Sequence, residues 1–313
     1  MAIKDKALKK RKALDALFYL SFMIIPLITF LVFYVYVNVD SFIMAFQKPE
    51  DGKLTFAGIE NFKWVFEKIK YGSTIEQDNI RLAFVNTFKT FGVQLVMFPV
   101  GLFVSYFIYK KILGYKAFRV IFYLPTIISG VVVSFFYLKF MQNGFMPKLL
   151  TKLYHLDYKL INPLIDSSFA NKMVLLHFIW LSFPGQLIIW GGTFSRIPES
   201  IIESAKLDGV SWVREMFGII LPLVWPTFVL MVTLQISGVF GSSGAVFLLT
   251  QGQKGTQTVS NWMYMQIYYS NDPQASESLY RVAAMGMTLT FISCMIAILV
   301  RKFLVSRIEE TTY

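Results

Sequence analysis

The chain has few of the side chains that carry chemistry. It has one cysteine, Cys294, and two histidines, His155 and His177, in 313 residues. One thiol closes no intrachain disulfide, and no grouping of Cys, His, Asp and Glu has the spacing of a metal site. There is no Gly-x-x-x-x-Gly-Lys-Ser/Thr run, so the chain cannot cradle nucleotide phosphates itself. Neither histidine has a paired nucleophile, and the acids lie mainly between apolar runs, so no catalytic constellation forms. Internal repeats and low-complexity tracts are also missing.

What the chain has in excess is apolar and aromatic surface, 55% and 17% of residues, with a mean hydropathy of +0.55. A soluble domain of this length is less apolar than that. Six runs have roughly the ~20 apolar residues that a bilayer requires, at about 17–39, 82–109, 118–140, 171–194, 226–250 and 282–304. The expected fold is therefore an all-α integral membrane protein with six transmembrane helices. The first run follows Lys4, Lys6, Lys9, Lys10, Arg11 and Lys12. It is too long for a signal peptide and lacks a small-residue cleavage site, so it is expected to stay as an anchor. No Asp or Glu lies well inside any run, where proton- or sodium-coupled carriers usually keep one. Lys89 is placed to snorkel, and His177 reads as packing rather than a proton relay.

The net charge of +11 is not spread as a nucleic-acid footprint; it collects at the ends of apolar runs. With the N-terminus inside, the inner segments hold the basic tail, Lys110, Lys111, Lys116, Arg119, Arg196, Lys206, Arg214, Arg301, Lys302 and Arg307. Those segments carry 16 basic against 8 acidic residues. Both termini and the 197–225 segment are then expected to be cytoplasmic in a multi-pass cell-membrane protein. The expected organisation is 1–81 (tail, first helix and external segment), 82–304 (membrane core) and 305–313 (cytoplasmic tail).

The 197–226 segment is longer and more helix-forming than a membrane turn needs. Pro198 suits a first helical turn, and Glu199 suits its positive dipole end. Ile201, Ile202, Ala205 and Leu207 supply apolar contacts at near-helical spacing. Gly209 follows Asp208 and permits a positive φ. A second helix is expected from Ser211 to Ile220, capped by Asp208 and stopped by Leu221-Pro222. Glu203 is free to pair with a basic group on a partner.

Glu203-Ser204-Ala205, Gly209 and Ile219-Ile220-Leu221-Pro222 resemble the Glu-Ala-Ala…Gly…Ile-x-Leu-Pro pattern of the EAA loop in ABC importer permeases, with Ser204 replacing the middle alanine. Gly58-Ile59-Glu60-Asn61-Phe62 is similar to the Gly-Leu-x-Asn-Phe signature of sugar-importer permeases, and Asn86-Thr87 and Phe122-Tyr123-Leu124-Pro125 also match. The resemblance covers most of 55–304 and is to the first permease of carbohydrate importers of the maltose type. It implies a type I ABC importer permease fold with a cytoplasmic coupling helix. That helix docks on a separate ATPase through Glu203, Ser204, Ala205, Asp208, Gly209, Leu221 and Pro222. It also implies an ABC ATPase dimer that holds ATP and Mg, a second permease, an extracytoplasmic solute-binding protein, and a sugar or oligosaccharide cargo. The chain itself would bind no cofactor and no nucleic acid, and would not be an enzyme. The alternatives are a permease for another polar solute such as a glycerol phosphate, and a stand-alone carrier.

A sugar site needs aromatic faces beside hydrogen-bonding groups. The fourth and fifth runs offer them, and Pro184-Gly185 is expected to loosen the fourth near its middle. In the related permeases the corresponding stretches face the sugar. That implies a path along Trp180, Ser182, Gly185, Gln186, Gln235, Ser237, Gly238 and Gly241. Small residues at such spacing also pack helices together in lipid.

Overall fold

The structure, a computed structural model, describes residues 2–50, 52–72, 79–156, 162–241, 244–268 and 275–306. Their regular elements are helices except for one hairpin. In hydrocarbon an unpaired peptide group costs several kcal/mol, so an apolar run closes its own hydrogen bonds as a helix. Five helices are long and apolar enough to cross a bilayer: Leu17–Ala45, Ile80–Tyr109, Ala170–Phe194, Trp212–Ser237 and Glu277–Val305.

Two expected spans differ from the structure. The straight crossing at 118–140 is a pair of helices, α5 (Tyr115–Ile127) and α6 (Gly130–Gln142), bent by 105°. Ile128 and Ser129 between them are extended, with ψ of 142° and 133°. Pro125 withholds one hydrogen bond in the turn before the bend. The crossing expected at 226–250 instead occupies 212–237. Leu221-Pro222 does not stop the helix: α10 (Trp212–Glu215) runs into α11 (Leu221–Ser237) through a π-helical turn over Met216–Ile220. The wider turn takes up the missing donor of Pro222 without a break. The real interruption comes at Gly238, followed by a single 3-10 turn over Val239–Gly241 and then α12 (Gly244–Thr250).

The described chain forms two units. In the first (1–66 and 271–288), α1 (Ala2–Phe30), a π-helical stretch (Leu31–Tyr36) and α2 (Val37–Ala45) make one rod, exposed along its apolar length. Strands β1 (Gln47–Glu50) and β2 (Lys53–Phe56) follow as an antiparallel hairpin, with Gln47 opposite Phe56 and Glu50 opposite Lys53. The Gly58–Phe62 motif is the clamp between these elements. Gly58 has φ +54°, which turns the chain into α3 (Glu60–Tyr71). Buried Asn61 then donates to the carbonyls of Ala45 at 2.9 Å and Gln47 at 2.8 Å, capping the end of the first span. Phe62 packs on Phe46 with centroids 5.1 Å apart.

The second unit (67–270 and 289–313) is built on α4 (Ile80–Tyr109) and α8 (Ala170–Phe194), which pack along each other. One core joins Phe98, Leu102 and Tyr106 of α4, Trp190 and Phe194 of α8, and Ile220, Val224 and Met231 near and within α11. A second joins α6, α8 and α12 through Tyr137, Met173, Val246 and Leu249, with Leu150 of α7 (Phe145–Leu153). The last helix, α14 (Ala275–Val305), is tied to α11 where Trp225 Nε1 donates to the Leu304 carbonyl at 3.1 Å.

Lipid is as apolar as leucine, so burial alone does little to hold helices together there, and polar ties matter more. The strongest set uses Asn86-Thr87. Asn86 Nδ2 donates to the carbonyls of Gly255 (2.7 Å) and Gln257 (2.9 Å), and Asn171 Nδ2 donates to Asn86 Oδ1 (2.6 Å). The Val259 N–H donates to Thr87 Oγ1 at 2.9 Å. Together they pin the segment between α12 and α13 (Val259–Tyr268) onto α4 and α8. Asn86→Leu leaves the buried Gln257 carbonyl without the Asn86 amide and takes the Asn86 oxygen from Asn171, and should cost about 2–6 kcal/mol at about 1–3 per unmet group. Denaturation of the detergent-solubilised protein measures that loss, and limited proteolysis should find new cuts within 251–258. An unchanged midpoint would refute the clamp.

Candidate functional site

The loop joining α8 to α11 is held from below and open above. Ile197, Ile202 and Ala205 are buried, and the two isoleucines join the core that contains Tyr106 and Phe194. Glu203, Ser204, Lys206, Leu207 and Asp208 face outward, and Leu207 is 89% exposed. Helix α9 (Glu199–Leu207) thus has an inward anchor and an outward surface that combines acid, hydroxyl and one bare leucine. Ser204 Oγ donates to the Ser200 carbonyl at 2.8 Å, so the hydroxyl is absorbed within the helix.

Helix α9 closes in a Schellman turn. The Val210 N–H reaches back to the Ala205 carbonyl and the Gly209 N–H to that of Lys206, both at 3.1 Å. Gly209 has φ +66°, and nothing lies within 4 Å of where a Cβ would be, so glycine is needed for backbone conformation and not for space. Asp208 is the C-cap of α9 and does not cap the next helix, contrary to the expectation from sequence. The cap position of α10 is Ser211, which makes no side-chain cap bond. Of the residues expected to supply apolar contacts, Ala205 faces the bundle whereas Leu207 is bare. Leu221 is half-buried against the core, and Pro222 is exposed in the first turn of α11.

A tie that charge counting along the sequence overlooks fixes the far side of the loop. Glu215 of α10 is 3% exposed, and Lys110 Nζ, at the C-cap of α4, donates to both of its oxygens at 2.8 and 2.9 Å. Trp212 packs on Phe107 beside it, with centroids 5.5 Å apart.

A cavity of about 270 Å³ opens among α4, α8, α11 and α12, lined by Gln94, His177, Phe178, Leu181, Ser182, Gln186, Gln235 and Ala245. Five of these eight side chains are polar, and none is an Asp, Glu, Lys or Arg. Gln186 Oε1, Gln235 Oε1 and His177 Nδ1 are buried without a hydrogen-bond partner. Buried polar atoms are rarely left so, and three such atoms at one cavity point to a bound molecule or water. His177 Nε2 lies 3.3 Å from Ser134 Oγ, and its ring packs edge-on to Tyr137, which fixes its orientation. Gly101 gives Gln186 its room: a Cβ at 101 would lie 2.5 Å from Gln186 Oε1.

Of the sequence-derived path residues, Ser182, Gln186 and Gln235 meet at this cavity, with the Ser182 hydroxyl donating to the Ile179 carbonyl at 2.9 Å and free only to accept. Trp180 stacks on Tyr137 instead, with centroids 6.2 Å apart, and is not among the lining residues. Gly185, Gly238 and Gly241 are exposed, and Ser237 Oγ is occupied by the Thr233 carbonyl at 2.9 Å. Pro184-Gly185 does not loosen α8, which is continuous from Ala170 to Phe194. One missing hydrogen bond is outweighed by packing along α4. Gln94 went unnoticed, although it has the signal that marks Gln235: a carboxamide inside an apolar run.

A transport-protein family described as "Binding-protein-dependent transport system inner membrane component" matches residues 97–310. The chain belongs to that family. This permease is 24% identical over 265 residues to the arabinooligosaccharides transport system permease protein AraP of Bacillus subtilis, covering 82% of this chain and 79% of AraP. It is 26% identical over 223 residues to the polygalacturonan/rhamnogalacturonan transport system permease protein YteP of the same organism, covering 70% and 67%. Among solved structures it shares its fold with a bacterial ABC transporter involved in the import of the acidic polysaccharide alginate. The TM-score is 0.72 at 20% identity, over 97% of this chain and 100% of the other. The permease is thus a multi-pass membrane component and not an enzyme.

The glycine at the loop corner gives a direct test. Gly209→Ala should destabilise the solubilised permease by about 1–2 kcal/mol, the cost of the left-handed conformation for a residue with a Cβ. Gly209→Asn should cost less, because asparagine tolerates that conformation. Equal melting temperatures for all three proteins would mean that the corner does not require positive φ.

Proposed function

We propose that this permease forms one half of a translocation path for a sugar or oligosaccharide and couples to a separate ATPase through the 197–226 loop. The observation that carries this reading is α9 itself. Its buried Ile202 and Ala205 hold it to the bundle, while Glu203, Ser204, Leu207 and Asp208 form an outward face ending in a rigid corner. Leu207 on that face is 89% exposed beside Glu203 and Asp208, a mixed apolar and acidic surface suited to a partner's groove. In this reading the loop and both termini are cytoplasmic. ATP and Mg sit on an ABC ATPase dimer, a second permease supplies the other half of the path, and an extracytoplasmic solute-binding protein delivers the cargo.

The carbohydrate cargo is supported by the relatives' substrates and by the cavity. Carboxamides, a hydroxyl and an imidazole match the mixed donors and acceptors of a polyhydroxylated molecule. A glycerol phosphate fits less well, because a phosphate calls for an Arg or Lys and none is among the lining residues. A proton-coupled carrier fits less well too, since no Asp or Glu lines the cavity.

Two substitutions separate the functions. Glu203→Lys, on an exposed position, should leave the permease inserted and folded but prevent the ATPase from co-purifying; undiminished co-purification and coupled ATP hydrolysis would sink the coupling role. Gln235→Ala should lower uptake about tenfold or more, in line with the ~1–3 kcal/mol of a hydrogen bond lost from a buried site, with ATPase association intact. Unchanged uptake of every cognate sugar would remove Gln235 from the path.

A further inference from the structure

We propose that the buried Lys110–Glu215 pair is the strut that carries motion of the 197–226 loop to the cavity. This rests on the importer reading above and adds the residues that transmit the force. A buried ion pair is seldom retained for stability, since apolar residues of the same shape often do as well or better. Lys110 does not snorkel to solvent: its side chain is 20% exposed and that of Glu215 only 4%. Beside the pair, ring contacts such as Trp212 on Phe107 and Phe217 on Phe103 also join the loop to α4. Such ring contacts slide. Nζ donating to both carboxylate oxygens fixes distance and direction together.

The far end of the strut reaches the cavity. Lys110 caps α4, which is unbroken from Ile80 to Tyr109 despite Pro99. At Gly101 the helix backbone lies against Gln186, and one and a half to two turns further Gln94 enters the cavity wall. From Lys110 to Gln94 is about 24 Å of helix at 1.5 Å per residue. A pull on Glu215 therefore moves Lys110, then the Gly101–Gln186 contact, then Gln94. Lys110 and Glu215 are positioning residues: neither lines the cavity nor lies on the outward face of α9.

The test uses the assembled transporter with its co-purified ATPase, in a Cys294→Ser background carrying Gln94→Cys. Cys294 is the chain's only cysteine. The probe is a small hydrophilic maleimide, and its labelling rate is measured with and without MgATP plus orthovanadate. With the pair intact, nucleotide should change the rate roughly tenfold, within the range typical of coupling between sites. Lys110→Met should erase that change while the ATPase still co-purifies. The doubly apolar Lys110→Met/Glu215→Met leaves no lone buried charge, so it should fold yet stay unresponsive. The exchange Lys110→Glu/Glu215→Lys should restore the response. A full nucleotide response in the doubly apolar variant would overturn the strut. A missing response with the pair intact would overturn the importer reading and the strut with it.

Discussion

In hydrocarbon a polar group without a partner costs several kcal/mol, and the whole chain is arranged around that cost. Each apolar run becomes a helix because only a helix closes its own peptide hydrogen bonds. Where the backbone leaves helical geometry, a side chain meets the exposed groups. Asn61 caps the end of the first span, Asn86 and Asn171 hold the segment before α13, and Trp225 ties α11 to the end of α14. The same accounting makes the cavity stand out. There Gln186, Gln235 and His177 bring three unmet atoms together around one space.

The loop and the cavity follow opposite rules of order. The loop is over-determined: a Schellman corner at Gly209, two isoleucines in the core and an ion pair at Glu215 leave it little freedom of its own. A rigid piece can be displaced as a unit, as a two-state element requires. The cavity is under-determined: its carboxamides sit on three different helices, and those of Gln186 and Gln235 each keep a buried oxygen without a partner.

Much of this was legible in the sequence, for physical reasons that also mark where reading had to stop. Apolar run length identified the spans, because lipid thickness sets it. It could not reveal the bend at Ile128–Ser129, since both stretches around the bend are equally apolar. Nor could it foresee that a π turn would carry the helix past Pro222, because a proline's effect depends on whether the preceding turn can widen. Gln186 and Gln235 came from resemblance to permeases whose corresponding stretches face the sugar, and a carboxamide inside an apolar run adds a physical reason to expect them at a cavity. Trp180, Gly185 and Ser237 were nominated by the same resemblance; here Trp180 packs on Tyr137, Gly185 is exposed and Ser237 donates to a local carbonyl. The Lys110–Glu215 pair spans 105 positions, and in one dimension each partner looks like an ordinary boundary charge.

The three glutamines around the cavity have a consequence at the level of the gene. In the standard genetic code a single base change turns a glutamine codon into one for glutamate, lysine or arginine. Gln94, Gln186 and Gln235 therefore each stand one nucleotide from a fixed charge of either sign. On the proposed path, a lineage could turn a neutral passage into one that favours or refuses ionised saccharides without remodelling a helix. The scaffold around it, pinned by asparagine clamps that tolerate no such exchange, would stay as it is.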